Sequence, residues 1–197
     1  MCSTSTVRTR LCPSRTWSAR WRSTSRRARF GIWVCPRPTR TIRKAHSVHP
    51  ISVLQSEYSI FTREVESLFP GLEDLGIGFV AYSPLARGFL SGAVFSRDHY
   101  DANDFRRHLP WWDPQNFDAN LAIVDGPRRS GPRKDATSAQ LALAWLLTRR
   151  DYVVPIPGSR NPSRVAQNIA ASDLVLDAED LRAVDRVAGG GGIGNRN

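Results

Sequence analysis

The sequence predicts a parallel α/β architecture, and three observations carry that reading. Short apolar runs at residues 51–56, 77–82 and 152–156, rich in Val, Ile, Phe and Tyr, have the composition of strands. Each run is followed by a segment with helical spacing, so strand and helix alternate along the chain. The runs are apolar rather than alternating, as expected of strands buried on both faces of a parallel sheet. Order alone does not separate a doubly wound sheet from part of a (β/α)8 barrel.

The elements follow one another from Arg40 onward. Thr41-Ile-Arg-Lys-Ala-His-Ser-Val48 reads as the end of a helix stopped by Pro50. Ile51-Ser-Val-Leu-Gln-Ser56 is the first of the three strands. Val65 to Leu75 is amphipathic, with Leu68, Leu72 and Leu75 at helical spacing and Gly76 as a stop. Ile77-Gly-Phe-Val-Ala-Tyr82 is the second strand. Residues 83–117 form a long loop holding Pro84, Pro110, Pro114, Trp111 and Trp112. A helix then begins at Asn120-Leu-Ala-Ile-Val-Asp125, but Gly126-Pro127 and Gly131-Pro132 would each break it, since Pro costs about 3 kcal/mol in a helix interior. An irregular connection and a local disturbance of the reading frame both account for that stretch. Thr137 or Ser138 caps the strongest helix, Ala139–Leu147. Tyr152-Val-Val-Pro-Ile156 is the third strand, with helices expected around Ser163–Ala171 and Leu181–Val187.

The charge is unevenly spread. Residues 1–40 hold ten of the 28 basic residues, all Arg, and no acidic one; the remaining 18 basic residues match the 18 acidic ones. The formal charge of +10 therefore belongs to the first forty residues, which also hold Cys2, Cys12 and Cys35 and show no periodicity. Three accounts of that segment compete. A transit peptide would be Arg-rich and acid-poor, but Pro13, Pro36 and Pro38 oppose its amphipathic helix. A nucleic-acid arm would set Arg on phosphates and Trp on bases. The third account, a translation in a shifted frame, explains the charge, the cysteines and the missing periodicity together. Regrouping the codons of Thr16-Trp-Ser-Ala-Arg-Trp-Arg22 permits Met-Val-Gly-Ala-Met-Ala. The cysteine spacing fits no metal motif, and a reducing, cytoplasmic compartment is expected. The apolar runs fall well short of the ~20 residues of a membrane-spanning helix.

Five blocks carry a more specific signal. Gln55-Ser-Glu-Tyr-Ser-Ile-Phe61, Gly78 to Gly92, Asp104-Phe-Arg-Arg107, Ala139 to Leu147 and Val154-Pro-Ile-Pro-Gly-Ser-Arg160 stand in the order and spacing of the aldo-keto reductases. Residues 41–187 resemble the last three or so βα units of that TIM-barrel family. The resemblance implies a partial (β/α)8 barrel over residues 41–188, preceded by the basic, disordered or frame-shifted segment 1–40 and followed by a flexible Gly-rich tail, 189–197. The tail contains GxGxxG formally, but no strand precedes it and no helix follows.

The same resemblance assigns a cofactor site. Gln55 would hydrogen-bond the nicotinamide carboxamide, and Tyr82 would stack on its ring. Ser83, Leu85, Arg87 and Gly88 match the loop against the pyrophosphate. Gly158, Ser159, Arg160, Arg164, Gln167 and Asn168 match the loop and helix start that hold the adenosine end. Guanidinium groups suit a 2′-phosphate by their bidentate geometry, so Arg160 and Arg164 argue for NADP(H) over NAD(H). Each residue also has a plainer role: Tyr82 a strand-end core aromatic, Gln55 a partner for backbone groups, the arginines solvated charges. Trp111 and Trp112 either line a substrate pocket or cover the core, and His46 and His49 read as structural.

Family chemistry transfers hydride to a small carbonyl substrate while a tyrosine, tuned by Asp, Lys and His, protonates the oxygen. The resemblance places that Asp, Tyr and Lys on earlier strands, so no catalytic residue is assigned here and no metal site is expected. The expectation is an NADP(H)-dependent reductase of the family, inactive as a fragment. A non-catalytic NADP-binding or scaffold protein of the same fold is the alternative, and a basic nucleic-acid-binding protein the third. Open barrel edges invite self-association.

Overall fold

A computed structural model describes residues 32–34, 39–94 and 96–194. Four strands form one sheet in the order β1 (Ile32–Val34), β2 (Val53–Glu57), β3 (Gly78–Tyr82) and β4 (Val153–Pro155), every neighbouring pair parallel. Register places Val34 beside Gln55, Gln55 beside Val80, Glu57 beside Tyr82, and Ala81 beside Pro155. Alternate side chains point to opposite faces of a strand. Leu54, Phe79, Ala81 and Val153 are buried on one face, whereas Val53, Gln55, Val80 and Tyr82 on the other are only half-buried and Val154 is exposed. Helices cover the first face and leave the second open, as in a barrel wall seen from inside.

The covering helices follow their sequence signals. Helix α1 (Thr39–Val48) buries Ile42 and Ala45. A 3-10 turn (Glu64–Leu68) leads into α2 (Phe69–Asp74), and Gly76 ends it with φ +62°, a left-handed angle that a Cβ disfavours. Helix α3 spans Pro114–Lys134. Helix α4 (Ser138–Arg149) buries the whole run Leu141–Leu146, and Thr137 and Gln140 close a reciprocal capping box at its start. Helix α5 (Pro162–Ala170) is capped by Asn161 and buries none of its residues. Helix α6 (Ala178–Ala188) is capped by Asp177, with Asp180 returning the bond.

The core is unusually aromatic. Tyr58 meets Phe69, Phe79 and Trp145 at centroid distances of 5.4, 5.9 and 5.8 Å. A second group joins Phe61, Phe89, Trp112 and Phe117 at 4.9–5.5 Å. Trp111 and Trp112 therefore pack into the core, where both are buried.

Three features depart from the sequence reading. Residues 32–34 lie in the stretch read as non-periodic, yet they add a parallel strand to β2; the calls on residues 1–31 and 35–38 lie outside the described residues. Helix α3 runs unbroken through Gly126-Pro127 and Gly131-Pro132. A proline removes one hydrogen bond and adds a local clash, a cost that packing of the rest of the helix outweighs here. Its buried Ile123 and Val124 and its Asn120 anchor it.

The glycine-rich run after Ala188 is docked rather than loose. Gly192 N–H donates to the Phe61 carbonyl at 2.8 Å, and the fully buried Asn120 amide both donates to Ile193 O at 2.8 Å and accepts from Ile193 N at 2.7 Å. Its glycines are needed for closeness. A Cβ on Gly191 would lie 2.7 Å from the Phe61 carbonyl oxygen, and one on Gly194 2.8 Å from that of Pro110.

Candidate functional site

The loops at the C-terminal ends of β3 and β4 enclose a cavity of about 630 Å³. Its first wall is the loop after Tyr82. Ser83, Ala86 and Arg87 take left-handed angles (φ 51°, 47° and 55°) that cost a non-glycine residue roughly 1 kcal/mol or more each. The surroundings hold this bend: Ala86 N–H donates to Ser83 O, Gly88 N–H to Leu85 O, and fully buried Phe89 and Leu90 pin the far end. Gly92 (φ 73°) lets the loop lie on the start of α4, where a Cβ would come within 2.9 Å of Ser138 Oγ.

The second wall comes from β4 and α5. Ile156 N–H donates to Ala81 O at 3.0 Å, continuing the sheet before the turn at Pro157-Gly158-Ser159. Ser159 Oγ accepts from Asn161 N, and Asn161 Oδ1 accepts from Ser163 N and Arg164 N at 2.9 and 3.3 Å. The first amides of α5 are thus already capped, and the groups left facing the cavity are side chains. Arg164, Gln167 and Asn168 fall at i, i+3 and i+4, one face of the helix.

A third wall was not assigned from the sequence. Tyr100 and Arg106 also line the cavity. The Arg106 guanidinium lies 3.6 Å above the Tyr100 ring and forks onto the Asp104 carboxylate, Nε to Oδ1 at 2.8 Å. That side-chain hydrogen bond holds the Asp104 carboxyl down at about 2 and raises the Arg106 pKa. The block Asp104–Arg107 stood among the motifs; the Asp-x-Arg spacing within it is the signal for a fixed guanidinium.

Of the twelve residues expected at a cofactor site, the cavity gathers nine: Ser83, Leu85, Arg87 and Gly88 on one wall, Gly158, Ser159, Arg164, Gln167 and Asn168 on the other. Three stand apart from it. Gln55 and Tyr82 lie on the open face of the sheet, Tyr82 directly before the first wall. Arg160 is exposed at the turn before α5.

The charged side chains that line the cavity are basic. Arg87, Arg106 and Arg164 line it and no carboxylate does, although Asp104 already balances Arg106. Arg87 Nε is buried with no hydrogen-bond partner among the described residues, beside the Phe105 ring at 5.5 Å. A partly exposed guanidinium with one unmet, buried donor fits a phosphate-bearing ligand. Among the described residues no group of three or more His, Cys, Asp or Glu could hold a metal ion, and no helix is long and apolar enough to cross a membrane.

A parallel βα sheet with one face open and a cleft at the strand C-termini is what part of a (β/α)8 barrel presents, at the end where such barrels carry their sites. The chain belongs to the aldo/keto reductase family, whose model matches residues 32–188. It is 37% identical to aldo-keto reductase str7 of Strobilurus tenacellus over 76% of this chain and 46% of the relative. It is 40% identical to the probable aldo-keto reductase 1 of Glycine max over 73% of this chain and 42% of that one. The chain thus spans less than half the length of these relatives. Its fold resembles that of a thermostable aldo-keto reductase solved with the inhibitor epalrestat (TM-score 0.65, 23% identity, 89% of this chain and 55% of the other). It also resembles the glycerol dehydrogenase AKR11B4 of Gluconobacter oxydans (TM-score 0.71, 23% identity, 80% and 48%). The family acts on small carbonyl substrates and typically uses NAD(P)H.

Proposed function

We propose that this chain is the cofactor-holding part of an NADP(H)-dependent carbonyl reductase and does not turn over by itself. The observation that carries the reading is the gathering of nine expected residues, Arg87 and Arg164 among them, with Arg106 around one cavity. Arg164, on the exposed start of α5, would take the 2′-phosphate, and the left-handed loop at Ser83–Gly88 would lie against the pyrophosphate. Bound there, the cofactor supplies hydride. Gln55 and Tyr82, on the open face beside the first wall, would orient its nicotinamide.

The reading of inactivity follows from the resemblance, which assigns no proton donor to residues 41–187. Burial pushes the Tyr58 hydroxyl up, with the Glu66 carboxylate adding to it, and burial raises Tyr152 to about 12 with Glu73 beside it. Of the four tyrosines, these two are shifted away from the neutral range that protonating a carbonyl oxygen asks for. Their hydroxyls are engaged elsewhere, by Glu66 at 2.7 Å and Glu73 at 3.1 Å.

NADPH fluorescence titration tests the reading. Binding tighter for NADPH than for NADH, weakened on the order of tenfold by Arg164→Ala, is expected, a loss of about 1.4 kcal/mol. Equal affinity for the two cofactors, or no saturable binding, would defeat it. Binding without carbonyl reduction supports a non-catalytic role; turnover would contradict the inactivity.

A further inference from the structure

Arg106 differs from the other arginines of the cleft in having its partners within its own loop. Asp104 takes the fork: its Oδ1 accepts from Arg106 Nε at 2.8 Å and its Oδ2 from Nη2. The same Oδ1 accepts from the Arg106 backbone N–H at 3.0 Å, so the carboxylate also caps the turn that carries the guanidinium. The Tyr100 ring lies beneath, 3.6 Å from centroid to guanidinium carbon. Nη1 makes no hydrogen bond among the described residues. The turn is braced from outside as well. Arg107 donates to Tyr100 O and to Asp98 Oδ1, each at 3.3 Å, and Arg97 Nε donates to Trp112 O at 2.7 Å. Of two adjacent arginines, one braces the loop and the other lines the cleft. Gly88 shows where this wall sits, since a Cβ there would lie 3.5 Å from Tyr100 Oη. Tyr100 therefore adjoins the left-handed loop at Ser83–Gly88, and Arg106 stands over Tyr100.

We propose that Asp104 is a positioning residue, which with Tyr100 holds Arg106 ready to take the pyrophosphate of the dinucleotide; the inference rests on the dinucleotide reading above. A long cationic side chain free in water must be ordered when its ligand arrives, and here the ordering is done beforehand. A guanidinium has five N–H groups, so Arg106 can reach a phosphate oxygen without giving up Asp104. Lysine, a point charge without a fork, cannot serve both partners in that geometry. The aromatic face beneath favours the cation with or without ligand. Because the pyrophosphate is common to phosphorylated and unphosphorylated dinucleotides, this wall raises affinity for both and selects neither. Selection between them stays with Arg164 on the opposite wall.

The sign of one substitution separates positioning from charge. Asp104→Asn removes a negative charge beside an anion site, and on charge alone both cofactors would bind more tightly. If Asp104 positions Arg106, both bind more weakly. Fluorescence titration of the full chain should show a loss of about tenfold for NADPH and NADH alike, with their ratio unchanged. Arg106→Lys should lose as much. Asn still accepts the backbone N–H of the turn, so the melting temperature should hardly move. In an Arg106→Ala background Asp104→Asn should have no further effect, because it acts only through the guanidinium. Inorganic pyrophosphate provides a probe independent of the dinucleotide. It should raise the melting temperature of the unsubstituted chain, and Asp104→Asn should remove that rise. A chain that binds neither dinucleotide yet keeps this pattern with pyrophosphate would defeat the functional reading and support the clamp. Tighter or unchanged binding in Asp104→Asn, a loss confined to NADPH, additive losses in the double variant, or no response of the unsubstituted chain to pyrophosphate would each overturn it.

Discussion

Two sides of this molecule obey opposite rules. Around β2, β3 and α4 the side chains are nearly sealed: Tyr58, Phe61, Phe79, Phe89, Trp112 and Trp145 have essentially no exposure. Around β4 and α5, a few residues away, Val154 and Ile169 are more than half exposed. The apolar composition is similar; what differs is the number of neighbouring elements. Among the described residues, β2 and β3 each have a strand on both sides and helices above, whereas β4 has one flanking strand. Burial here is a property of position in the sheet more than of residue type.

Substitutions sharpen that contrast. Trp112→Ala should destabilise by about 3–5 kcal/mol, read as a fall in the denaturant midpoint, because it empties the space between Phe89, Tyr100 and Phe117. Gly191→Ala should cost about 1–3 kcal/mol, since it combines a left-handed angle with a clash against the Phe61 carbonyl. Ile169→Ser, on the open side, should change the stability of the single chain by no more than about 0.5 kcal/mol. A larger loss there would mean that α5 is already covered.

Acid provides a different probe. Backbone bonding from Asp180 and the Lys134 ammonium hold the Asp177 carboxyl at about 2, below its ordinary 3.8. The depressed value means that the cap stabilises above about pH 4 and is lost as pH falls toward 2. Asp177→Asn keeps a good cap, so stability at neutral pH should barely move while the acid limb of the unfolding curve flattens.

Much of this was legible in the chain. Strands β2, β3 and β4 announced themselves as apolar runs, and α4 by its capping Thr137 and its leucines. The resemblance anticipated residues on two walls of the cleft. What stayed hidden depended on contacts distant in sequence. Ile-Trp-Val has strand-forming residue types, but three residues are too short a run to stand out; pairing with β2 marks β1 as a strand. The Gly-Pro pairs looked decisive, but the helix around them is held from outside. Tyr100 and Arg106 line the cleft from a loop whose path no local pattern encodes.

Asn120 has a consequence for how the chain tolerates shortening. Its amide grips both Trp111 O, at 3.3 Å, and the backbone of Ile193. A chain shortened to Ile193 keeps that grip, and Ile193 is the next residue to go. The next cut strands a sealed donor and acceptor together, at about 1–3 kcal/mol per orphaned group. Resistance to digestion would then fall in a single step, with Asn120, 73 residues upstream, acting as the latch.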